Sequence, residues 1–492
     1  MKIPSELYRP SLTLLTDLYQ LTMAYGYWKA GLADRESVFN LFFRQNPFGG
    51  SFSIACGLEY MVDFLSHFRF DADDTAFLTE VCGADGKPLF DRAFLDALQS
   101  MTFSCQVDAI PEGTLVFPPE PLVRVQGPLM QCQLIETALL NLINFQTLVA
   151  TKAARICLAT GGESVLEFGL RRAQGIDGGL GASRAAYIGG CDATSNVLAG
   201  KLFGIPVRGT HAHSWVMVFE DDLEAFQTYA EALPNNCIFL VDTYNTLEGV
   251  RKAAQVGQWL RARGHEMVGI RLDSGNLAQL SIAARSILDA AGFPDTRIVG
   301  SSDLDEHLIT QLKEQGSTID VWGVGTKLVT AYDQPALGGV YKLTAVRAPD
   351  GTWQDRIKLS EETVKVTNPD IPQVRRYHTQ KEFLCDVMYG KEADLADGCT
   401  MVDVSDPATR RRISGDTAFS DLLAPVFRQG RAVYESPPLS HIRQRTQEQL
   451  AKLPGDITRL NQPGQYPVGL EESLYERKTR LIRQAEWTAG VT

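Results

Sequence analysis

Two of the chain's seven histidines stand two residues apart in Gly209-Thr210-His211-Ala212-His213-Ser214-Trp215, and a short apolar run, Ile205 to Val207, leads into them. Histidines so spaced can be metal ligands, a proton-transfer group or surface residues of a turn, and spacing alone leaves all three open. A second stretch with chemical content is Arg271-Leu272-Asp273-Ser274-Gly275-Asn276. On an extended strand, side chains two apart share a side, so Arg271 and Asp273 face the same way. They can form a structural ion pair. They can equally bind a diol and a phosphate, the carboxylate accepting ribose hydroxyl protons or arranging the waters of Mg2+. Arg171-Arg172, after Glu167-Phe168-Gly169, offers a guanidinium fork for a carboxylate or phosphate. In Gly323-Val324-Gly325-Thr326, followed by Gly338-Gly339-Val340-Tyr341-Lys342, backbone amides could approach an anion closely, with plain tight turns as the alternative.

These residues fall at the ends of short apolar runs. The runs are Ser164–Gly169, Tyr187–Gly190, Pro206–Thr210, Ile238–Thr243, Val268–Ser274, Arg297–Ser302 and Val321–Thr326. The gaps, often about 20 to 30 residues, carry helical patterns such as Thr246 to Arg263 and Asn276 to Ala291, which is the rhythm of βαβ units. The fold class is therefore read as α/β, an irregular or incomplete β/α barrel over residues 131–345. In such barrels the loops after the strands gather at one mouth. His213, Arg171, Asp273, Arg297 and the Gly323–Thr326 loop are expected there, with a phosphorylated ligand.

Ahead of the barrel, residues 1–130 read as an α+β domain. It holds an amphipathic helix over Thr16–Trp28, a strand over Ser37–Arg44, and a helical pattern from Gly57 to Phe70. Tyr19 reads as a core tyrosine or as a ring at a ligand or subunit boundary, and Arg44 as a surface charge. Residues 346–492 are more hydrophilic, with Arg410-Arg411-Arg412 and a polar helix from Ser436 to Leu453, and read as a C-terminal extension packing on the N-terminal domain. Its charged runs read as solvated faces, apart from the neighbourhood of Lys365 and Thr367.

A chain of 492 residues exceeds one ordinary core, and 44% hydrophobic residues supply more than one. The formal charge of −12 argues against nucleic acid as a partner, since phosphate binding over an extended surface needs basic patches. Any phosphate chemistry must be local. Nine scattered cysteines, odd in number and without a C-x-x-C pair, fit a reducing compartment rather than a disulfide framework or zinc site. Met1 to Glu6 begin no apolar signal segment, and no run reaches the length of a membrane span, so a cytoplasmic location is expected.

Taken together, Thr16-Asp17-Leu18-Tyr19-Gln20, Glu167-Phe168-Gly169-Leu170-Arg171-Arg172-Ala173-Gln174-Gly175, Gly209-Thr210-x-Ala212-His213-Ser214, Arg271-Leu272-Asp273-Ser274-Gly275 and Gly323-Val324-Gly325-Thr326 closely resemble the nicotinate phosphoribosyltransferase family. The resemblance runs from the first helix to about Thr367. It implies a type II phosphoribosyltransferase fold, usually a homodimer with sites at the subunit boundary. It also implies conversion of nicotinate and 5-phosphoribosyl 1-diphosphate into nicotinate mononucleotide and diphosphate, coupled to ATP hydrolysis, in NAD synthesis. By position, the resemblance gives His213 the part of a phosphorylated histidine and Asp273 that of the acid near the ribose. Tyr19 would cover nicotinate from the partner subunit, Thr210 and Arg297 would contact it, and Phe168 and Arg171 would belong to the substrate pocket. Ser214, Arg271, Gly323, Gly325 and Thr326 would contribute to substrate binding, and Thr367 to the phosphoribosyl diphosphate site. No metal would be bound by the protein directly, Mg2+ arriving on the diphosphate. Two departures stand out: His211 fills a position that varies, and Asp370 follows Pro369 where Gly is common. Rival readings are nicotinamide phosphoribosyltransferase, a non-catalytic phospho-ligand binding protein on the same scaffold, and, further off, a histidine-ligated metal hydrolase.

Overall fold

The computed structural model describes residues 11–360 and 366–488, so Lys365 lies outside the described residues. The chain divides into two compact units, one of residues 149–335 and the other of residues 1–148 with 336–492.

The first of these is the barrel. Its apolar runs form a six-stranded sheet in the order Ala193–Thr194, Ser164–Glu167, Val321–Val324, Arg297–Ser301, Gly269–Leu272, Ile238–Leu240. Every pairing in it is parallel. A parallel sheet needs both faces covered. Ile270, Leu272, Ile298, Trp322 and Val324 are accordingly all but fully buried on one face. The helices Thr246–Arg261 and Leu277–Ala290 start where Asn245 and Asn276 accept the backbone N–H groups of Glu248 and Gln279, satisfying donors the first turn leaves open. Among the described residues the two edge strands do not pair with each other. The segment from Val207 to His211 fills the gap: Val207 bridges Thr194, and the His211 ring accepts the N–H of Leu240. The barrel is incomplete and irregular.

Two expected strands are corrected. Tyr187 to Gly190 is the end of the helix Gly175–Gly189, stopped by Gly190 at φ 125°. Gly189 sits so close to the preceding helix that a Cβ there would lie 2.3 Å from the Ala150 carbonyl. A buried helix end and a buried strand present the same short apolar run, which is why the pattern misled. Pro206 to Thr210 makes only the single bridge at Val207, while the two-residue strand Ala193–Thr194 had no apolar run of its own.

In the second unit a seven-stranded antiparallel sheet runs Trp353–Asp355, Gly339–Arg347, Glu36–Phe43, Val123–Pro128, Gln106–Ala109, Ala424–Arg428, Arg431–Ala432. Strands from both ends of the chain thus share one ladder. Gly339–Arg347, expected in the barrel as far as Ala345, pairs here with Glu36–Phe43. Gly338-Gly339 is therefore not part of the barrel's glycine loop. A six-stranded sheet of the same unit is built from residues 372–471, a region that reads as hydrophilic. The polar texture conceals a buried network: Arg376, 2% exposed, donates from Nε to Asp386 Oδ1 at 2.8 Å and from Nη2 to the Leu115 carbonyl at 2.9 Å. Tyr466 donates to the same carboxylate at 2.9 Å. Among the described residues no helix is long and apolar enough to cross a membrane.

Gly249, in the first turn of its helix, faces the strand end so closely that a Cβ would lie 2.2 Å from the Val241 carbonyl. Backbone cannot yield as a side chain can, so Gly249→Ala is expected to destabilise by about 1–3 kcal/mol, the usual cost of overpacking. Denaturant unfolding checks this; an unchanged midpoint would show that helix and strand separate at no cost.

Candidate active site

The strand ends of the barrel carry a continuous polar cluster. Arg271 is its hub. Its guanidinium donates from Nε to Ser301 Oγ at 2.8 Å, from Nη1 to Thr210 Oγ1 at 3.1 Å, and from Nη2 to Asp273 Oδ1 at 2.8 Å. The Ser301 hydroxyl donates to the same carboxylate. Burial opposes charge on Asp273, but Ser301, Arg271 and His213 outweigh it and hold the carboxyl below its ordinary value. Asp242, at the end of the neighbouring strand run, accepts the Asp273 N–H at 2.9 Å and the Ser274 hydroxyl at 2.6 Å. Its other oxygen, Oδ1, is buried and has no hydrogen-bond partner among the described residues.

The two histidines of the opening motif have separate fates. His211 is 8% exposed, and its Nε2 accepts the Leu240 N–H at 3.2 Å. The ring proton therefore sits on Nδ1, which faces the Ala212 carbonyl at 3.4 Å. Burial is the main cause that brings its pKa down to about 4. A neutral ring whose lone pair is already used closes the barrel and is no nucleophile. His213 opens the short helix His213–Val216 and is partly exposed. Its Nδ1 lies 3.1 Å from Thr243 Oγ1, and its Nε2 lies 3.7 Å from Asp273 Oδ2. Ser214 follows it on the exposed side.

Phe168 joins the cluster, with the Arg271 guanidinium 5.5 Å from its ring centroid. Gly323 is glycine for a packing reason: a Cβ there would lie 2.7 Å from the Phe168 ring. Gly325 and Thr326 form the turn into the helix Thr326–Val329. Glu167 secures this corner by accepting the Ser183 hydroxyl at 2.8 Å, the Thr194 hydroxyl at 2.6 Å and the Gly169 N–H. Arg171 lies in the turn Leu170–Arg172, exposed and without a carboxylate partner among the described residues.

Arg297 is a correction. It begins its strand, paired in register with Gly269, while Ser301 closes that same strand and Asp273 follows the end of the next. Parallel strands share one polarity, so Arg297 stands at the end of the barrel opposite the cluster, 61% exposed and paired with Asp320 at 3.1 Å. Tyr19 and Thr367 belong to the other compact unit. Tyr19 is 49% exposed on the helix Leu18–Lys29. Thr367 is buried, and its hydroxyl accepts the Lys358 N–H at 3.1 Å, so it positions Lys358 rather than presenting itself. In that unit Arg44 is half-buried, and its Nε has no hydrogen-bond partner among the described residues, which departs from the surface charge expected. Burial, with the positive charges of Lys358 and Arg44, keeps the Lys342 ammonium below its ordinary value against the pull of Glu136. Three cations thus share a small space, an arrangement that sequence spacing could not reveal.

An incomplete parallel barrel with a guanidinium–carboxylate–imidazole cluster at its strand ends has the build of an enzyme active site. Family models described as the N-terminal and C-terminal domains of nicotinate phosphoribosyltransferase match residues 14–144 and 372–478. The nicotinate phosphoribosyltransferase of Bacillus subtilis (strain 168) is 43% identical over 483 residues, covering 97% of this chain and 96% of that protein. The crystal structure of human nicotinic acid phosphoribosyltransferase superposes with a TM-score of 0.82 at 36% identity, over 95% of this chain and 99% of that one. A nicotinate-nucleotide pyrophosphorylase from Pyrococcus furiosus, at 21% identity and TM-score 0.69 over 92% of this chain and 97% of that one, shares the fold. The chain belongs to the nicotinate phosphoribosyltransferase family.

His211 provides a pH test. Its folded pKa of about 4 lies below the unfolded 6.5, so the unfolded chain binds the extra proton first. The stability it contributes is complete above pH 6.5 and is lost as the pH falls through 4. The window corresponds to about 3 kcal/mol at most, at 1.36 kcal/mol per unit. Denaturant unfolding between pH 7 and 4 is expected to show this loss, reduced in His211→Gln; an identical slope in both proteins would rule it out.

Proposed function

We propose that the chain transfers the phosphoribosyl group of 5-phosphoribosyl 1-diphosphate to nicotinate, giving nicotinate mononucleotide and diphosphate. ATP hydrolysis through a phosphohistidine at His213 is part of the proposal. The observation that carries it is the placement of His213 between Thr243 and Asp273 at the barrel's strand ends, while the neighbouring histidine is committed to the backbone.

In the first step a ring nitrogen of His213 attacks the γ-phosphorus of ATP. The N–P bond forms, the P–O bond to the β-phosphate breaks, and ADP leaves with the electron pair. The imidazole acquires positive charge as this happens, and Asp273, kept ionised by Ser301 and Arg271, faces that charge. In the transfer step the pyridine nitrogen of nicotinate attacks C1 of the ribose as the bond to diphosphate breaks. Cationic character grows on the ribosyl centre, and Asp273 is the anion this reading sets against it. Water then cleaves the N–P bond, releasing phosphate and restoring His213.

The protein's work is to hold and neutralise. Phe168 supplies an aromatic face, and Thr210, Arg171 and Arg271 supply donors for a carboxylate or phosphate. Gly323, Gly325 and Thr326 border the same opening. Arg44, Lys342 and Lys358 form a separate basic cluster within the other unit, with Thr367 holding Lys358 in place. The buried, unpartnered Oδ1 of Asp242 beside Asp273 fits a hard cation. Asp242 and Asp273 would hold Mg2+ through its waters, and the ion would supply charge neutralisation on the diphosphate. Exposed Leu15, Leu18, Tyr19 and Met23 on one unit, and Met217, Val218 and Tyr244 on the other, fit a homodimer with a subunit boundary at the site. The nine cysteines form no disulfide, which suits a reducing cytoplasm.

Incubation with γ-labelled ATP followed by mass spectrometry under alkaline conditions is expected to place acid-labile phosphate on His213 and none in His213→Asn. Label on His211 or on no histidine would sink the coupling mechanism. Asp273→Asn is expected to lower kcat at least tenfold while the KM for nicotinate changes less than threefold; an unchanged kcat in steady-state kinetics would remove Asp273 from the reaction. Competition of nicotinate against nicotinamide decides between acid and amide.

A further inference from the structure

The imidazole of His213 has a polar neighbour on each side, and the two are unequal. Its backbone opens the helix His213–Val216, which is anchored by the fully buried Val216 and by Trp215, whose indole N–H donates to the Ala225 carbonyl at 3.1 Å. A fixed backbone still leaves the ring free to turn about its side-chain bonds. What stops it must be a partner of the ring itself. Thr243 Oγ1, 3.1 Å from Nδ1, is within hydrogen-bond reach, whereas Asp273 Oδ2, 3.7 Å from Nε2, is not.

Both neighbours are themselves held in place. Asp273 is pinned through Oδ1 by Arg271 and Ser301, and through its backbone N–H by Asp242. Thr243 sits on a short link whose two ends are fixed. On one side Val241 is fully buried and donates its N–H to the Arg271 carbonyl at 3.2 Å; on the other, Asn245 caps the helix Thr246–Arg261. The strand end and the helix start thus present the Thr243 hydroxyl to Nδ1 from a rigid base.

A neutral imidazole has one N–H and one lone pair, and a hydroxyl can meet either. If the Thr243 hydroxyl donated to Nδ1, the lone pair would be spent there and Nε2 would carry the proton, leaving no nitrogen able to attack phosphorus. If Nδ1–H donates to Thr243 Oγ1 instead, the lone pair stands on Nε2, on the side of Asp273. His211 has this same proton placement with the opposite result, because its Nε2 lone pair is taken by the Leu240 N–H. The partner of the second nitrogen decides whether the ring is inert or nucleophilic.

We propose that Thr243 is a positioning residue that accepts the Nδ1 proton of His213 and so makes Nε2 the nitrogen that takes the phosphoryl group. This rests on the proposed phosphorylation of His213. The Nε2 lone pair forms the bond to the γ-phosphorus, the P–O bond to the β-phosphate breaks, and ADP leaves with that electron pair. The Nδ1 proton stays on the ring, which is therefore cationic once phosphorylated, with the Thr243 oxygen on one side and the Asp273 carboxylate on the other. Attack by water on phosphorus returns the electron pair to Nε2 and restores the same tautomer.

Long-range proton–nitrogen NMR on the full chain, with isotope-labelled histidine nitrogens and the His213 signals assigned by His213→Asn, reads the tautomer without ATP. An Nδ1–H tautomer in the wild type, lost in Thr243→Val, which keeps the shape without the hydroxyl, and restored in Thr243→Ser, is the expected result. Phosphorus NMR of the ATP-treated protein is expected to show phosphate on Nε2, with labelling slowed about tenfold in Thr243→Val and recovered in Thr243→Ser. An Nε2–H tautomer in the wild type, the same tautomer in Thr243→Val, or phosphate on Nδ1 overturns the proposal. Phosphate on neither nitrogen of the wild type counts against the functional reading instead, and the tautomer comparison still decides whether Thr243 holds the ring. Thermal unfolding of Thr243→Val at the wild-type midpoint separates loss of the hydroxyl from loss of the fold.

Discussion

One guanidinium organises the working end of the barrel. Arg271 spends three directions of its donor fork on Thr210, Ser301 and Asp273, residues from three different segments of the chain. A lysine could not do this, because an ammonium has no fixed planar fork. The fork makes the side of one strand the reference against which the loops on either side are set. Asp273 gains its low pKa from this arrangement, and its second oxygen is left facing His213. Removal of the hub would leave a partly buried carboxylate uncompensated, a change more costly than the loss of any single hydrogen bond.

The same economy explains why two histidines two residues apart do different things. The barrel's strands leave a gap, and a backbone N–H at Leu240 would be stranded there without a partner. His211 fills that need with its lone pair, at the cost of being neutral and enclosed. His213, one step beyond the closure, keeps an accessible ring between a hydroxyl and a carboxylate. One short loop thus holds an enclosed ring and an accessible one two residues apart.

A chain with a net charge of −12 can still offer local positive charge because some of its cations are gathered rather than spread. Arg271 serves one cluster. Arg44, Lys342 and Lys358 serve another, close enough that burial and mutual repulsion shift Lys342. Each group sits where backbone geometry, rather than composition, brings it.

The sequence alone determined the alternation of apolar runs and helical gaps, hence a parallel sheet with helices, and it marked the strand ends where Asp273 and His213 stand. Those signals are local: periodicity, caps and terminal polar residues are written within a few positions of one another. It also held the trace of Asp242, Thr243 and Ser301, each closing an apolar run, though nothing in their spacing showed which would meet. Tertiary structure decided the rest. Only strand polarity showed that Arg297, despite its place at an apolar run, begins its strand and so belongs to the opposite end. Only packing distinguished the buried helix end at Tyr187–Gly190 from a strand. Only long-range pairing brought Ala424–Arg428 beside Gln106–Ala109 and set the local pair Arg376–Asp386 against Leu115 and Tyr466. Contacts between residues hundreds of positions apart leave no period in the sequence, because the energy that fixes them comes from burial and partner geometry, not from neighbours along the chain.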